Sequence, residues 1–117
     1  MPKSVLIVDD HPGFRASARR MLEASGYAVV GEAAAGAEAV AAAGELAPEL
    51  VLLDVQLPDL DGFEVAARLQ GLDNPPEIVL TSSRDRADFG DAVAESPARG
   101  FIAKAELSGP ALAELVG

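Results

Sequence analysis

With 117 residues, half of them apolar, the chain is long enough for one domain over residues 1–117, because two domains would each be too small to bury a hydrophobic core. A formal net charge of −10 argues against a basic surface, so we expect no direct binding of nucleic acid. The lack of cysteine excludes disulfides and thiolate metal sites, and no apolar stretch is long enough for a signal peptide or a membrane span, which predicts a cytoplasmic protein without a membrane partner.

Five short apolar runs recur along the chain and predict five β-strands. They lie at residues 5–8, 27–30, 50–53, 78–80 and 100–103. Most of them are apolar at every position, without the alternation of a half-exposed strand. This pattern is typical of strands that are buried on both faces of a parallel sheet.

The segments between the strands have helical patterning. Helices are predicted over residues 14–25, over the alanine-rich stretch 33–47, from the capping residue Asp61, across 85–95, and after Pro110. Strand and helix therefore alternate five times. Right-handed crossovers on a parallel sheet turn this order into a three-layer α/β sandwich.

Polar side chains follow four of the five strands, at the point where each strand ends. They are Asp9, Asp10, Asp54, Thr81, Ser82 and Lys104. In the flavodoxin-like strand order 2-1-3-4-5, the first and third strands are neighbours, so the three aspartates lie within a few ångströms of one another. Like charges at that range destabilise each other, and Mg²⁺ is the cation that best fits carboxylate and water ligands. Each aspartate taken alone could instead cap a helix or a turn.

The remaining polar residues at this edge have two interpretations each. Lys104, one of only two lysines, could pair with a carboxylate or a phosphoryl oxygen, or it could be a solvated residue at a strand end. A hydroxyl at Thr81 or Ser82 could donate to an anionic oxygen or bond to local backbone. The single histidine, His11, is assigned to the loop before Pro12, with pH sensing as the alternative.

Four segments together carry a family resemblance that spans essentially the whole chain. They are VLIVDDHP at 5–12, VLLDVQLPDLDG at 51–62, LTS at 80–82 and GFIAK at 100–104. The sequence resembles the receiver domain of bacterial response regulators. This resemblance implies the flavodoxin-like doubly wound (βα)5 sandwich with sheet order 2-1-3-4-5.

The resemblance also implies the roles of the acidic residues. Asp54 would be the phosphoacceptor, and Mg²⁺ would be bound by Asp10, Asp54 and the backbone carbonyl of Gln56, with Asp9 acting chiefly through water. Aspartate is a competent nucleophile toward phosphorus, and phosphoryl transfer needs mainly positioning and charge neutralisation.

Further residues are implied in stabilising the phosphoryl group and in switching. Counting from Pro76 selects Thr81 as the family hydroxyl and counting back from Lys104 selects Ser82; we prefer Thr81. Lys104 would pair with the phosphoryl group. Phe101 would change rotamer and alter the face formed by the fourth helix, fifth strand and fifth helix, although it could also be plain core.

The implied function is that of a phosphorelay switch and not of an enzyme. The partners would be a histidine kinase or phosphotransfer protein and an unknown output partner, with a dimer through the fourth helix, fifth strand and fifth helix as one arrangement. The chain would be a stand-alone receiver or part of a longer regulator. Three other functions are alternatives: a binding module that works without phosphorylation, an aspartyl-phosphate phosphatase, and a flavin or dinucleotide domain. This chain has no G-x-G-x-x-G motif after the first strand, which argues against the last of them.

Overall fold

The computed structural model describes residues 2–116 and contains one five-stranded parallel sheet. Its strands are β1 (Ser4–Val8), β2 (Ala28–Ala33), β3 (Leu50–Asp54), β4 (Glu77–Ser82) and β5 (Gly100–Ala103). Their spatial order is β2-β1-β3-β4-β5, and every neighbouring pair is parallel. The predicted flavodoxin-like order is therefore confirmed.

Five α-helices connect and follow the strands. They are α1 (Pro12–Ala24), α2 (Gly36–Leu46), α3 (Gly62–Gln70), α4 (Ala92–Glu95) and α5 (Gly109–Val116). Two 3-10 turns, Arg86–Phe89 and Lys104–Glu106, precede α4 and α5. Within residues 2–116, none of these helices has the length and apolarity needed to cross a membrane.

The hydrophobic core is divided by the sheet into two layers. In β1, Leu6 and Val8 pack toward α2 and α3, whereas Val5 and Ile7 pack toward α1 and α5. All four side chains are fully buried. A strand covered on both faces needs apolar residues at every position, which is why this run lacks alternation.

The prediction of a continuous fourth helix across residues 85–95 was wrong. The segment is divided into the 3-10 turn and α4, with Gly90 between them at φ 57° and ψ −130°. Residues with a Cβ rarely adopt this conformation, whereas glycine does so easily. A capping box between Asp85 and Asp88 stabilises the 3-10 turn, which ends at Phe89.

The second strand is longer than the sequence predicted, and the second helix begins later. β2 continues to Ala33, which is buried opposite Val8 of β1 and accepts a hydrogen bond from the Asp9 amide at 3.0 Å. The pairing register shifts between Val5 and Leu6, which accommodates one extra residue in β2. Sheet pairing thus overrides the local helix preference of the alanines that follow.

Candidate functional site

The predicted cluster of acidic side chains lies at the carboxyl edge of the sheet. β1 pairs with β3 so that Val8 is opposite Leu53, which places Asp9 beside Asp54. Asp10 follows Asp9 in the loop before α1. One donor atom from each of these three aspartates and from His11 lies within 4.8 Å of the others. The structure therefore brings together the residues that the sequence placed at separate strand ends.

Lys104 pairs with both buried carboxylates. Its ammonium lies 2.6 Å from Asp9 Oδ2 and 3.4 Å from Asp54 Oδ2, and 4.4 Å from the centre of the Phe14 ring. Burial raises the pKa of Asp9, but hydrogen bonds from Lys104 and His11 outweigh it, so this pKa is held below its usual range. Asp9 and Lys104 thus form an ion pair that holds the buried acid in its charged form.

The pKa of Asp54 is shifted in the opposite direction from that of Asp9. Asp54 is almost fully buried at the end of β3. Burial, together with the nearby charge of Asp9, raises its pKa from 3.8 to about 6. The Gln56 amide, which donates to Asp54 Oδ1 at 3.1 Å, and Lys104 limit this rise. Asp54 is therefore a buried carboxylate whose negative charge is only partly compensated.

Asp10 and His11 form the exposed side of the cluster. The His11 Nδ1 atom lies 2.9 Å from Asp9 Oδ1 and 3.1 Å from Asp10 Oδ1, and the His11 amide donates to Asp9 Oδ1 at 2.8 Å. His11 was predicted to be a loop residue, with pH sensing as the alternative, and this contact was not predicted. Its position directly after two aspartates was the available signal for this contact.

The structure places the two candidate hydroxyls in different surroundings. Thr81 is in register with Asp54 and fully buried, and its Oγ1 has no hydrogen-bond partner within residues 2–116. Ser82 is also buried, but its Oγ accepts a hydrogen bond from the Arg84 amide at 3.1 Å. A buried hydroxyl without a hydrogen-bond partner destabilises the folded state, so Thr81 is the residue that would gain from a polar ligand at this edge.

The loop between β3 and α3 is held by its own carboxylates. Asp59 accepts hydrogen bonds from the Gly36 and Ala37 amides at 2.7 and 3.0 Å, and these backbone bonds, that from Ala37 foremost, lower the pKa of Asp59. Asp61 caps α3 by accepting from the Glu64 amide at 2.8 Å. The loop that carries Gln56 is thereby anchored to two helices.

Gly62 brings the start of α3 against the backbone of β3. A Cβ atom at this position would lie 2.6 Å from the Asp54 carbonyl oxygen and 2.6 Å from the Val55 Cα. The Gly62 amide donates to the Val55 carbonyl. Only glycine permits this approach directly behind Asp54. The sequence analysis quoted this glycine in a motif without assigning it a structural role.

Phe101 lies on β5 at the edge of the core, half-buried. Its ring centre is 5.8 Å from that of Phe89, which is 5.9 Å from that of Phe63. These three rings form a row across the face that contains the 3-10 turn and β5. All three rings pack against the layer of the core on the side of α2 and α3.

The donor set fits a small, hard divalent cation. Three carboxylates converge here, two of them buried, and Lys104 is the ammonium that contacts the buried pair. Ions such as Mg²⁺ prefer carboxylate, carbonyl and water oxygens, and they offset the repulsion between clustered acids.

A family model and two relatives identify the family of this chain. The model of the response regulator receiver domain matches residues 5–115. The Bordetella pertussis protein BvgA, named as a transcription regulator of virulence factors, is 40% identical over 106 residues, which are 91% of this chain and 51% of BvgA. The Mycobacterium tuberculosis transcriptional regulatory protein PdtaR is 35% identical over 104 residues, covering 89% of this chain and 50% of PdtaR. The chain spans about half the length of the curated relatives it matches.

Two solved structures share the fold. A LuxR-family two-component response regulator from Aurantimonas superposes with a TM-score of 0.86 at 30% identity, covering 99% of this chain and 83% of that one. The signal receiver domain of NarL from Mycobacterium tuberculosis has a TM-score of 0.84 at 30% identity, covering 99% and 98%. With the family model spanning nearly the whole sequence, this chain belongs to the response regulator receiver domain family of two-component signalling.

Proposed function

We propose that this receiver domain, over residues 1–117, is switched by phosphorylation of Asp54 in the presence of Mg²⁺. The observation that carries the proposal is the state of Asp54: it is buried, its charge is only partly compensated, and it lies 3.4 Å from Lys104. These three features are not expected of an aspartate that merely caps a turn. All three suit a nucleophile that receives a phosphoryl group.

In the proposed transfer, an Asp54 carboxylate oxygen forms a bond to phosphorus while the phosphorus–nitrogen bond of a phosphohistidine breaks. The leaving imidazole takes a proton from solvent. The donor would be a histidine kinase or a phosphotransfer protein. Asp10, Asp54 and the Gln56 carbonyl would hold Mg²⁺, with Asp9 acting through water, and the ion would neutralise charge on the phosphoryl oxygens.

The neighbouring side chains would stabilise the product. Lys104 is close enough to Asp54 to pair with a new phosphoryl oxygen by a charge-assisted hydrogen bond. Thr81 could donate its free hydroxyl to the same group, which supports our preference for Thr81 over Ser82.

The readout would pass from the site to the aromatic row. A phosphoryl group on Asp54 adds charge beside Thr81, which is next to β5 in the sheet: Thr81 pairs with Ile102, the residue after Phe101. We propose that Phe101 then changes its packing and alters the surface of α4, β5 and α5. That surface would bind an output partner or a second copy of the chain in the cytoplasm. Because relatives are named as transcription regulators, control of transcription is the output class that we propose.

The test is incubation of the protein with Mg²⁺ and acetyl phosphate or phosphoramidate, followed by intact mass spectrometry. We expect addition of one phosphoryl group that hydroxylamine removes, as for an acyl phosphate. Asp54→Asn should not be labelled, whereas Asp73→Asn, the same change at an exposed aspartate, should be labelled like the wild type. Equal labelling of Asp54→Asn, or no labelling of the wild type by either donor, would refute the proposal.

The pH dependence offers a second check. The pKa of Asp54 is raised to about 6, and only the carboxylate is nucleophilic. In protein without metal, the side-chain carboxyl carbon resonance of Asp54 in the NMR spectrum should titrate with a midpoint near pH 6. A midpoint near pH 4 without metal would contradict the raised pKa.

A further inference from the structure

The imidazole of His11 is directed at the acidic cluster and not at the helix it precedes. His11 is the N-cap residue of α1, yet its side chain makes no capping hydrogen bond. Instead, Nδ1 contacts carboxylate oxygens of both Asp9 and Asp10. The side chain is thus positioned with the residues of the proposed Mg²⁺ site.

We propose that His11 is a metal ligand that supplies a nitrogen donor to this site and makes it selective for borderline transition-metal ions such as Co²⁺, Ni²⁺ and Zn²⁺. This inference rests on the proposed metal site and adds a ligand and a class of ion to it. The chemical basis is that imidazole suits these ions, whereas Mg²⁺ prefers oxygen ligands.

The distances match those between neighbouring ligands of one ion. Metal–ligand bonds of roughly 2.1 Å meeting at a right angle place the two ligand atoms roughly 3 Å apart. The His11 Nδ1 atom lies 3.1 Å from Asp10 Oδ1, and Asp9 Oδ1, 2.9 Å from the same nitrogen, is placed to accept a hydrogen bond from a water on the ion. One atom from each of these three residues and from Asp54 lies within 4.8 Å of the others, slightly more than the roughly 4.2 Å that separates opposite ligands of an octahedral ion.

The exposure of two of the side chains leaves room for them to close onto an ion. The side chains of His11 and Asp10 are 67% and 36% exposed, so both can adjust their rotamers, while the fully buried Asp9 is fixed. The His11 amide donates to Asp9 Oδ1, which keeps the imidazole beside the cluster with or without a bound ion. A neutral imidazole can then exchange its contact with the carboxylates for a bond to the ion.

A bound ligand at this edge is indicated independently by Thr81. Its buried hydroxyl, in register with Asp54, has no hydrogen-bond partner within residues 2–116. Buried hydroxyls without a partner are rare, and one beside a group of acids is expected where an ion with its waters or an anion binds. The acidic cluster is therefore not the sole evidence for a ligand.

The test compares Co²⁺ and Mg²⁺ binding by untagged wild type and His11→Gln, a variant that keeps the backbone amide but lacks the imidazole. Dissociation constants come from calorimetry with CoCl₂ or MgCl₂. In the wild type, Co²⁺ should shift and broaden imidazole proton resonances in the NMR spectrum. Those signals belong to His11, because the chain has one histidine. Asp73→Asn is the control for a change at an unrelated surface aspartate.

We expect the ratio of Co²⁺ affinity to Mg²⁺ affinity to fall about ten-fold or more in His11→Gln, the size of effect that altering a metal site's ligand shell produces. Far-ultraviolet circular dichroism without metal should match the wild type, because His11 makes no capping hydrogen bond in α1. An unchanged ratio in a folded variant, or imidazole signals undisturbed by bound Co²⁺, would overturn the role of His11.

The outcomes separate this inference from the proposed function. If Mg²⁺ binds and Asp54 is labelled while the affinity ratio is unchanged, the role of His11 is refuted and the phosphorylation site stands. If neither ion binds to the wild type, both proposals fail. If His11→Gln does not fold, His11→Asn takes its place and must show the same fall in the ratio of Co²⁺ affinity to Mg²⁺ affinity.

Discussion

Asp54→Asn should stabilise the protein when no divalent ion is present. The physical reason is that burial and the charge of Asp9 disfavour the ionised Asp54 carboxylate, as its raised pKa of about 6 records. Asparagine has nearly the same shape and carries no charge. The substitution therefore removes an electrostatic cost from the folded state while leaving the packing of β3 in place.

The magnitude follows from the two pKa values. A rise from 3.8 to about 6 corresponds to about 3 kcal/mol at neutral pH, because each pKa unit is equivalent to about 1.4 kcal/mol. This cost is absent in strong acid, where the carboxyl is protonated in both states. It grows as the pH rises from 3.8 through about 6, because the folded state holds a proton that the unfolded state has lost. Part of this cost depends on the charges of Asp9 and Lys104, which also change their interactions when Asp54 loses its charge. We therefore expect a gain of about 1–3 kcal/mol in the free energy of unfolding.

The assay is urea denaturation followed by far-ultraviolet circular dichroism in a buffer with EDTA. Near pH 7.5 the gain should be full, and near pH 4.5 it should be about a third as large. In thermal melts it should raise the Tm by about 4 °C for each kcal/mol. Adding Mg²⁺ should stabilise the wild type more than Asp54→Asn and so reduce the difference.

Asp73→Asn is the matched control, because it changes the same chemical group at an exposed position. It should leave the free energy of unfolding nearly unchanged at both pH values. An Asp54→Asn variant less stable than the wild type near pH 7.5, or a gain that does not depend on pH, would show that the charge of Asp54 is not the source of the cost.

Three further substitutions test the surroundings of the site. Gly62→Ala should lower the free energy of unfolding by about 1–3 kcal/mol, because its Cβ would meet the backbone of β3. The control Gly44→Ala, in open space within α2, should raise it by about 0.5–1 kcal/mol, and equal effects in urea denaturation would contradict the close approach at Gly62. Lys104→Met should lower it by about 3 kcal/mol or more, since two buried carboxylates lose their counterion, and Mg²⁺ should restore part of the loss; unaltered stability would disprove the buried pair. Asp59→Ala should lower the Tm at neutral pH by removing the cap of α2, with the difference shrinking as the pH falls below 3.8; a Tm equal to that of the wild type would exclude the capping role.

Much of the fold and the membership of the site could be predicted from the chain itself. Continuous apolar runs such as residues 5–8 have to be buried on both faces, and this requirement leads to a parallel sheet covered by helices. Parallel strands then bring their carboxyl ends to one edge, where Asp9, Asp54 and Lys104 meet. Composition and order along the chain are sufficient for these conclusions.

Local patterns were least informative where tertiary contacts decide the backbone. The alanines at 33–35 have a high helix propensity, yet β2 continues to Ala33 because it pairs with β1. The interruption at Gly90 depends on a positive φ angle that apolar periodicity does not report. Both departures arise from interactions between segments or from backbone conformation, which propensities average out.

Only the tertiary structure distinguishes the two buried aspartates. Asp9 and Asp54 are the same residue type at equivalent strand ends, yet the pKa of one is lowered and that of the other is raised. Both acids are buried, which raises both pKa values. At Asp9 the contact with Lys104 at 2.6 Å and hydrogen bonds from His11 outweigh burial, whereas at Asp54, which lies 3.4 Å from Lys104, burial and the charge of Asp9 prevail. The sequence alone determined that an acidic site with a lysine exists at this edge of the sheet. The folded geometry decides which aspartate pairs closely with Lys104 and which is left buried with a partly compensated charge. The physical reason is that electrostatic energy depends on burial and on differences in charge separation of less than an ångström.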